Sequence, residues 1–233
     1  MLTHMRRIRD WILSHEWFVL LGVLVIVLGV WAFAELADEV VEGETKTFDD
    51  RLIRMLRRPD DPAKPIGSEA LHEIGRDLTA VGGIAMLSLT TAAVAGYLVM
   101  ARRFRAAAFV VVATVGGLFI SSALKASFDR PRPDIVPHLS HVMTSSFPSG
   151  HSFMSATVYL TLGILLAGLV ESTRLKIYFI GVALLITGLV GVSRVYMGVH
   201  YPTDVLAGWS GGLVWATLCG LVERWLRRRG ALR

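Results

Sequence analysis

Residues Phe18–Ala37 read FVLLGVLVIVLGVWAFAELA, an apolar run with no charge before Glu35. A bilayer core about 30 Å thick needs roughly 20 such residues in a helix. Arg6, Arg7 and Arg9 precede the run, as in a secretory leader. Glu35, Asp38 and Glu39 stand where a cleavage site needs small residues, so an uncleaved first span is expected. Working outward, five further windows have the same character: 78–100, 106–124, 153–170, 177–195 and 205–222. The expected fold is all-α: a polytopic membrane protein with six transmembrane helices, residues 1–233 forming one membrane domain. A chain that is 53% hydrophobic and 18% charged is not an ordinary soluble domain.

The net charge of +5 is distributed in a way that argues against nucleic acid as partner. Basic residues gather before the first window, at Arg102, Arg103 and Arg105 after the second, at Arg174 and Lys176 after the fourth, and from Arg224 onward. These are alternate span ends, which the positive-inside rule assigns to the cytoplasm together with both termini. Trp11, Trp17, Trp209 and Trp225 fall near expected span ends, as in an interfacial belt. Cys219 stands alone in an apolar stretch, so no disulfide framework exists and packing is its expected role.

Between the first two windows lies residues 38–77, a short extracytoplasmic segment by this topology. Within it, FDDRLIRML at Phe48–Leu56 places Phe48, Leu52, Ile53, Met55 and Leu56 at helical spacing. Two placements fit equally: a helix lying on the outer membrane surface, or one packed against the other loops.

Three fragments carry chemistry, and the topology puts all of them on the extracytoplasmic face. In Pro148–His151, PSGH, Ser149 suits a helix N-cap, Gly150 allows close backbone approach, and a helix start offers unpaired N–H groups to an anion. His151 falls in the first turn. In Lys125–Pro133, KASFDRPRP, Arg132 is held between two prolines that restrict its backbone, while Lys125 supplies a movable charge. In Ser193–Asp204, SRVYMGVHYPTD, Arg194 sits at a span rim, where a buried charge is costly and usually functional. Pro202 starts the sixth helix, so Asp204 lies in its first turn near His200, able to fix the imidazole tautomer. Each fragment alone also has a plain structural reading: a capped helix, interfacial histidines, and Lys125 or Arg130 snorkelling to the surface. Cations beside two histidines suit a phosphate, and the apolar surroundings suit a lipid phosphate.

Order and spacing together resemble the signature of the type 2 phosphatidic acid phosphatase superfamily. Its three parts match as Lys125…Arg132-Pro133, Pro148-Ser149-Gly150-His151 and Ser193-Arg194…His200…Asp204, without departure. The resemblance implies that His200 is the nucleophile of a phosphohistidine intermediate, Asp204 orients it, and His151 acts as general acid and base. It further implies that Lys125, Arg132, Ser149, Gly150 and Arg194 hold the phosphoryl oxygens. No cofactor and no metal are expected, because the three cations can take a metal's place. His138 and His141 match no signature position and read as loop residues. The implied protein is a bacterial inner-membrane lipid phosphatase whose substrate is undecaprenyl pyrophosphate, phosphatidylglycerol phosphate or phosphatidic acid. Oligomeric state is left open. Phosphotransfer to another acceptor uses the same residues, and a lipid or anion transporter would use the cations without needing the His/Asp pair.

Overall fold

The computed structural model describes residues 17–134 and 144–230. The basic run before the first span, Trp11, His138 and His141 lie outside those residues. Among the described residues all regular structure is helical: α1 (Trp17–Glu42), α2 (Lys46–Met55), α3 (Glu69–Val81), α4 (Ile84–Met100), α5 (Phe104–Ser127), α6 (Gly150–Leu169), α7 (Thr173–Tyr196) and α8 (Pro202–Arg228). Five are long and apolar enough to cross a bilayer, and α3 with α4 makes a sixth, bent span. The chain is an integral membrane protein of the expected class.

Helix α8 is the axis, with α1, α5, α6 and α7 around it. Its small residues decide how near they come. A Cβ on Gly208 would lie 2.6 Å from the Ser149 carbonyl oxygen, and one on Gly212 would collide with the backbone of Phe153. Backbone therefore rests on backbone, the usual route to tight packing where lipid removes the hydrophobic drive between helices. Helix α1 buries fully only Gly22 and Gly29 against α8 and exposes Leu20, Leu24, Val27 and Leu28. Such a face belongs in hydrocarbon.

The second span departs from a single continuous helix. It breaks at Gly82–Gly83 with a bend of 51°, and Val190 of α7 occupies the space a side chain at position 82 would need. The Val81 carbonyl freed by the break accepts a hydrogen bond from the Tyr159 hydroxyl at 2.9 Å. Tyr159 belongs to a π-helical turn, Ala156–Leu160, inside α6. Trp209 also differs from expectation. Its indole donates to the Thr187 carbonyl at 3.1 Å and its ring covers Gly191, so it packs between helices instead of joining an interfacial belt.

The segment between the first two spans decides between the two placements left open for α2. The helix packs on the bundle, using only part of the apolar stripe seen in its sequence, Ile53 with Leu56 beside it. Thr45, Asp49, Ile53 and Arg57 recur every four residues and are all buried, while Phe48 and Met55 are exposed. Ile53 packs against Val195, Tyr201 and Val205, while two of the polar members meet polar partners. Asp49 and Thr45 meet Arg130 and Thr203 near the start of α8.

At the opposite end of the bundle, Arg227 of α8 donates to the Gly168 carbonyl at 2.8 Å and pairs with Glu223. That contact closes the C-terminus of α6 and clamps the two helices together.

Candidate active site

Four helix ends converge at one end of the bundle. The last turns of α5 and α7 carry Lys125 and Arg194, and the first turns of α6 and α8 carry Ser149–His151 and Asp204. Alternating helix direction brings these ends together, as the span count requires. The Ser149 N–H donates to the Asp204 carbonyl oxygen at 2.9 Å, tying the two helix starts directly.

At the start of α6, Ser149 is fully buried and its hydroxyl accepts from the Ser152 N–H and from the Ser152 hydroxyl. This is the N-cap read from the sequence. The ammonium of Lys125 lies 3.8 Å from where a Cβ on Gly150 would be. A permanent cation thus stands beside the positive end of a helix. His151, in the first turn, reaches across to the bent span: its Nε2 is 3.8 Å from the Cβ position of Gly83. It shares its electrostatic surroundings with Arg194, His200, Lys125 and Arg132.

Arg132 is held from several sides. Its Nε donates to the Thr144 carbonyl at 2.9 Å and Nη1 to the Val199 carbonyl at 2.6 Å. Nη1 also lies 3.3 Å from His200 Nε2. Arginine has no lone pair to offer, so in that contact Nε2 is the acceptor and the ring proton sits on Nδ1. Nδ1 faces Asp204 Oδ2 at 3.4 Å. The imidazole thus turns Nε2 toward the cations and leaves Nδ1 nearest the carboxylate, without a hydrogen bond there. His200 is 1% exposed. Burial first, then Arg194, Arg132 and Lys125, push its pKa well below the ordinary 6.5, so it is neutral near pH 7. Arg194 is likewise almost fully buried, and its Nε has no hydrogen-bond partner among the described residues. A buried guanidinium N–H without an acceptor points to a site that completes itself on binding an anion.

Asp204 is saturated. Oδ2 accepts from the Tyr201 N–H at 2.9 Å, the reciprocal contact of a helix N-terminus, and Oδ1 accepts from Arg130 Nη1 at 2.5 Å. Arg130 corrects the snorkelling read from the sequence. Its guanidinium bridges Asp204 and Asp49, donates to Thr203 and Thr45, and lies 4.4 Å from the centroid of the Tyr201 ring. Burial opposes its charge, yet Asp204 and Asp49 together outweigh that and raise its pKa. Charge pairing, not access to water, holds it in place. Nothing in the local sequence distinguishes Arg130 from a surface arginine, because its partners lie 74 and 81 residues away. Among the described residues no three His, Cys, Asp or Glu side chains are placed to hold a metal ion.

A family model for the PAP2 superfamily matches residues 106–228, more than half of the chain and the whole of this constellation. The chain belongs to the PAP2 superfamily. It is 44% identical over 97 residues to phosphatidylglycerophosphatase B of Bacillus subtilis, a match spanning 41% of this chain and 47% of that protein. The chain thus spans about half the length of that curated relative. It is 28% identical over 185 residues to a lipid A 1-phosphatase of Rhizobium etli, covering 68% of this chain and 75% of the other. In three dimensions it resembles the crystal structure of a transmembrane PAP2-type phosphatidylglycerolphosphate phosphatase from Bacillus subtilis. The TM-score is 0.73 at 25% identity, over 89% of this chain and 98% of that one. The PAP2 match starts at residue 106, so α2 and its buried Asp49 lie outside it.

Proposed function

We propose that this protein is a lipid phosphatase that hydrolyses a membrane lipid phosphate or pyrophosphate through a phosphohistidine intermediate and needs no metal. The observation that carries the reading is the orientation of His200. A neutral, buried imidazole presents Nε2 to fixed cations and holds Nδ1 3.4 Å from Asp204 Oδ2.

In the first step the Nε2 lone pair attacks phosphorus, a P–N bond forms, and the P–O bond to the leaving group breaks. His151, which shares its surroundings with the same cations, gives a proton to the departing oxygen. The ring of His200 becomes positive, and Asp204 stabilises it through Nδ1–H. Lys125, Arg132 and Arg194, with the N–H groups at the start of α6, hold the non-bridging oxygens as charge develops on them. In the second step His151 takes a proton from water, the water oxygen attacks phosphorus, the P–N bond breaks, and inorganic phosphate leaves. Arginine can grip two oxygens at once, which fixes the phosphoryl group in line.

Residues 1–233 act as one membrane domain in an inner membrane, with the site extracytoplasmic. The sequence supports this, since Arg102–Arg105, Arg174–Lys176 and Arg224–Arg229 follow the second, fourth and sixth apolar windows, which are alternate span ends. The candidate substrates are phosphatidylglycerol phosphate, phosphatidic acid and undecaprenyl pyrophosphate. The likeness to phosphatidylglycerophosphatase B supports placing the first of them at the head. The test is phosphate release from detergent-solubilised protein in excess EDTA, against a panel of lipid mono- and diphosphates that includes lipid A 1-phosphate. Turnover in EDTA with loss of activity in His200→Ala supports the mechanism. Full activity in His200→Ala, or activity restored only by added metal, refutes it.

A further inference from the structure

Asp49 lies outside the family match, on a helix whose sequence carries no signature residue, yet it is completely buried. Its Oδ1 accepts from the Thr203 backbone N–H at 3.1 Å. Its Oδ2 accepts from the Thr203 hydroxyl and from Arg130 Nη2, each at 2.7 Å. A buried carboxylate with this many donors is deliberate chemistry: unpaired, it would be strongly unfavourable.

The first two contacts do a particular job for α8. That helix starts at Pro202, which has no N–H, and its N-cap Tyr201 offers no side-chain cap to the first turn. The N–H of Thr203 is the first orphan donor of the helix. Asp49 accepts it from 154 residues away in sequence, so an outer helix supplies the cap that the local sequence omits. The carboxylate also lies at the positive end of α8, where a negative charge is favoured.

The third contact reaches the catalytic pair. Arg130 stands between two carboxylates, with Nη2 on Asp49 and Nη1 on Asp204. Asp204 in turn faces His200 Nδ1 through its other oxygen. One guanidinium shared by two acids neither swings away nor places its whole charge on Asp204. We propose that Asp49 is a positioning residue for the nucleophile: through Arg130 and Thr203 it fixes the aim and preserves the negative charge of Asp204 toward His200. It touches no substrate in this scheme. Removing its charge leaves Arg130 to pair with Asp204 alone, which drains the field that supports a positive imidazole. Removing its acceptors loosens the turn on which Asp204 is carried. The inference rests on the assignment of His200 as nucleophile under Proposed function.

It also gives the outer segment a role. Helix α2 buries Asp49 and Ile53, and Asp49 together with the N-cap residue Thr45 contacts Arg130. A helix placed only to cover the bundle would have no use for a buried acid aimed at the start of α8.

The experiment is steady-state kinetics of full-length protein in detergent, with a short-chain phosphatidic acid as probe. The variants are Asp49→Asn, Arg130→Gln, the two combined, His200→Ala, and Asp60→Asn as a charge-removal control on an exposed residue of the same segment. Asp49→Asn is expected to lower kcat about 10- to 100-fold, as for a lost charge-assisted contact, with KM within about threefold. The combined variant is expected to fall within about twofold of Arg130→Gln, because both act through one chain of contacts. Asp60→Asn is expected to match the parent. A kcat for Asp49→Asn within about twofold of the parent overturns the proposal. So does a loss seen only in KM, or losses that multiply in the combined variant. If Asp49→Asn does not purify as a monodisperse species, Thr203→Val removes the bridging hydroxyl and leaves both acids. A lower kcat at unchanged KM supports the proposal there, and an unchanged kcat overturns it. Activity surviving in His200→Ala would instead refute the assignment of the nucleophile, a separate failure.

Discussion

Replacing Asp204 by Asn keeps the shape of the side chain and reverses part of its chemistry. The Tyr201 N–H at 2.9 Å and Arg130 Nη1 at 2.5 Å hydrogen-bond this carboxylate, while His200 Nδ1 lies 3.4 Å from it without a hydrogen bond. An amide has one acceptor and one donor group. If its oxygen faces Arg130, its NH2 meets both the Tyr201 N–H and His200 Nδ1. If its oxygen faces them, the NH2 meets the guanidinium. Either way a donor opposes a donor, and one charge-assisted contact is lost at about 1.5–3 kcal/mol. At about 1.4 kcal/mol per tenfold, that alone lowers the rate roughly 10- to 150-fold. In the first orientation the amide also favours the tautomer with its proton on Nε2, which removes the attacking lone pair. The corresponding Asp-to-Asn change in a serine-protease triad costs about 10,000-fold. The expected loss in kcat therefore lies between about 100- and 10,000-fold, with KM little changed because the cations are untouched. The assay is initial-rate phosphate release with phosphatidic acid in detergent, with parent and variant matched for monodispersity. A variant retaining more than about a tenth of parental kcat would refute the role given to Asp204.

Other perturbations separate binding from packing. Arg194→Lys keeps a charge but loses the planar fork, so KM for a lipid phosphate is expected to rise about tenfold or more, read from the same assay. An unchanged KM would remove Arg194 from the phosphate grip. For pH, the folded state holds His200 neutral with its pKa well below the ordinary 6.5 of the unfolded chain. Below pH 6.5 the unfolded chain takes up a proton that the folded site refuses, so this contribution to stability is full above that pH. It is lost as pH falls toward the folded value. Thermal unfolding of the parent is expected to shift downward between about pH 6.5 and 5, and less so in His200→Gln. Equal shifts in both would contradict a neutral buried ring. Gly208→Ala adds a methyl 2.6 Å from the Ser149 carbonyl oxygen, a contact with rigid backbone. About 1–3 kcal/mol of destabilisation is expected, together with a loss of activity from the displaced start of α6. A parental unfolding temperature would show that α6 and α8 are not packed backbone to backbone.

The number of spans, the grouping of basic residues and the three fragments were legible along the chain, because hydrocarbon imposes a local rule. Every span must satisfy its own backbone and present apolar side chains, so Phe18–Ala37 declares itself without reference to any neighbour. The PSGH cap and the spacing from His200 to Asp204 are likewise short-range, within the reach of one or two helical turns. What the tertiary structure alone decided involves partners far apart in sequence. Arg130 looked like an arginine at a span end until Asp49 and Asp204 were found on either side of it. Helix α2 showed an apolar stripe in its sequence, of which Ile53 is buried, yet it also buries Asp49 from outside that stripe, since the surface it meets offers Arg130 and Thr203. The contact of Gly82, at the bend of the second span, with Val190 on another helix appears only on folding. Apolar segments are recognised by their solvent, which composition records. The pairing of a buried charge depends on which distant residue folding brings beside it, and only three-dimensional packing determines that.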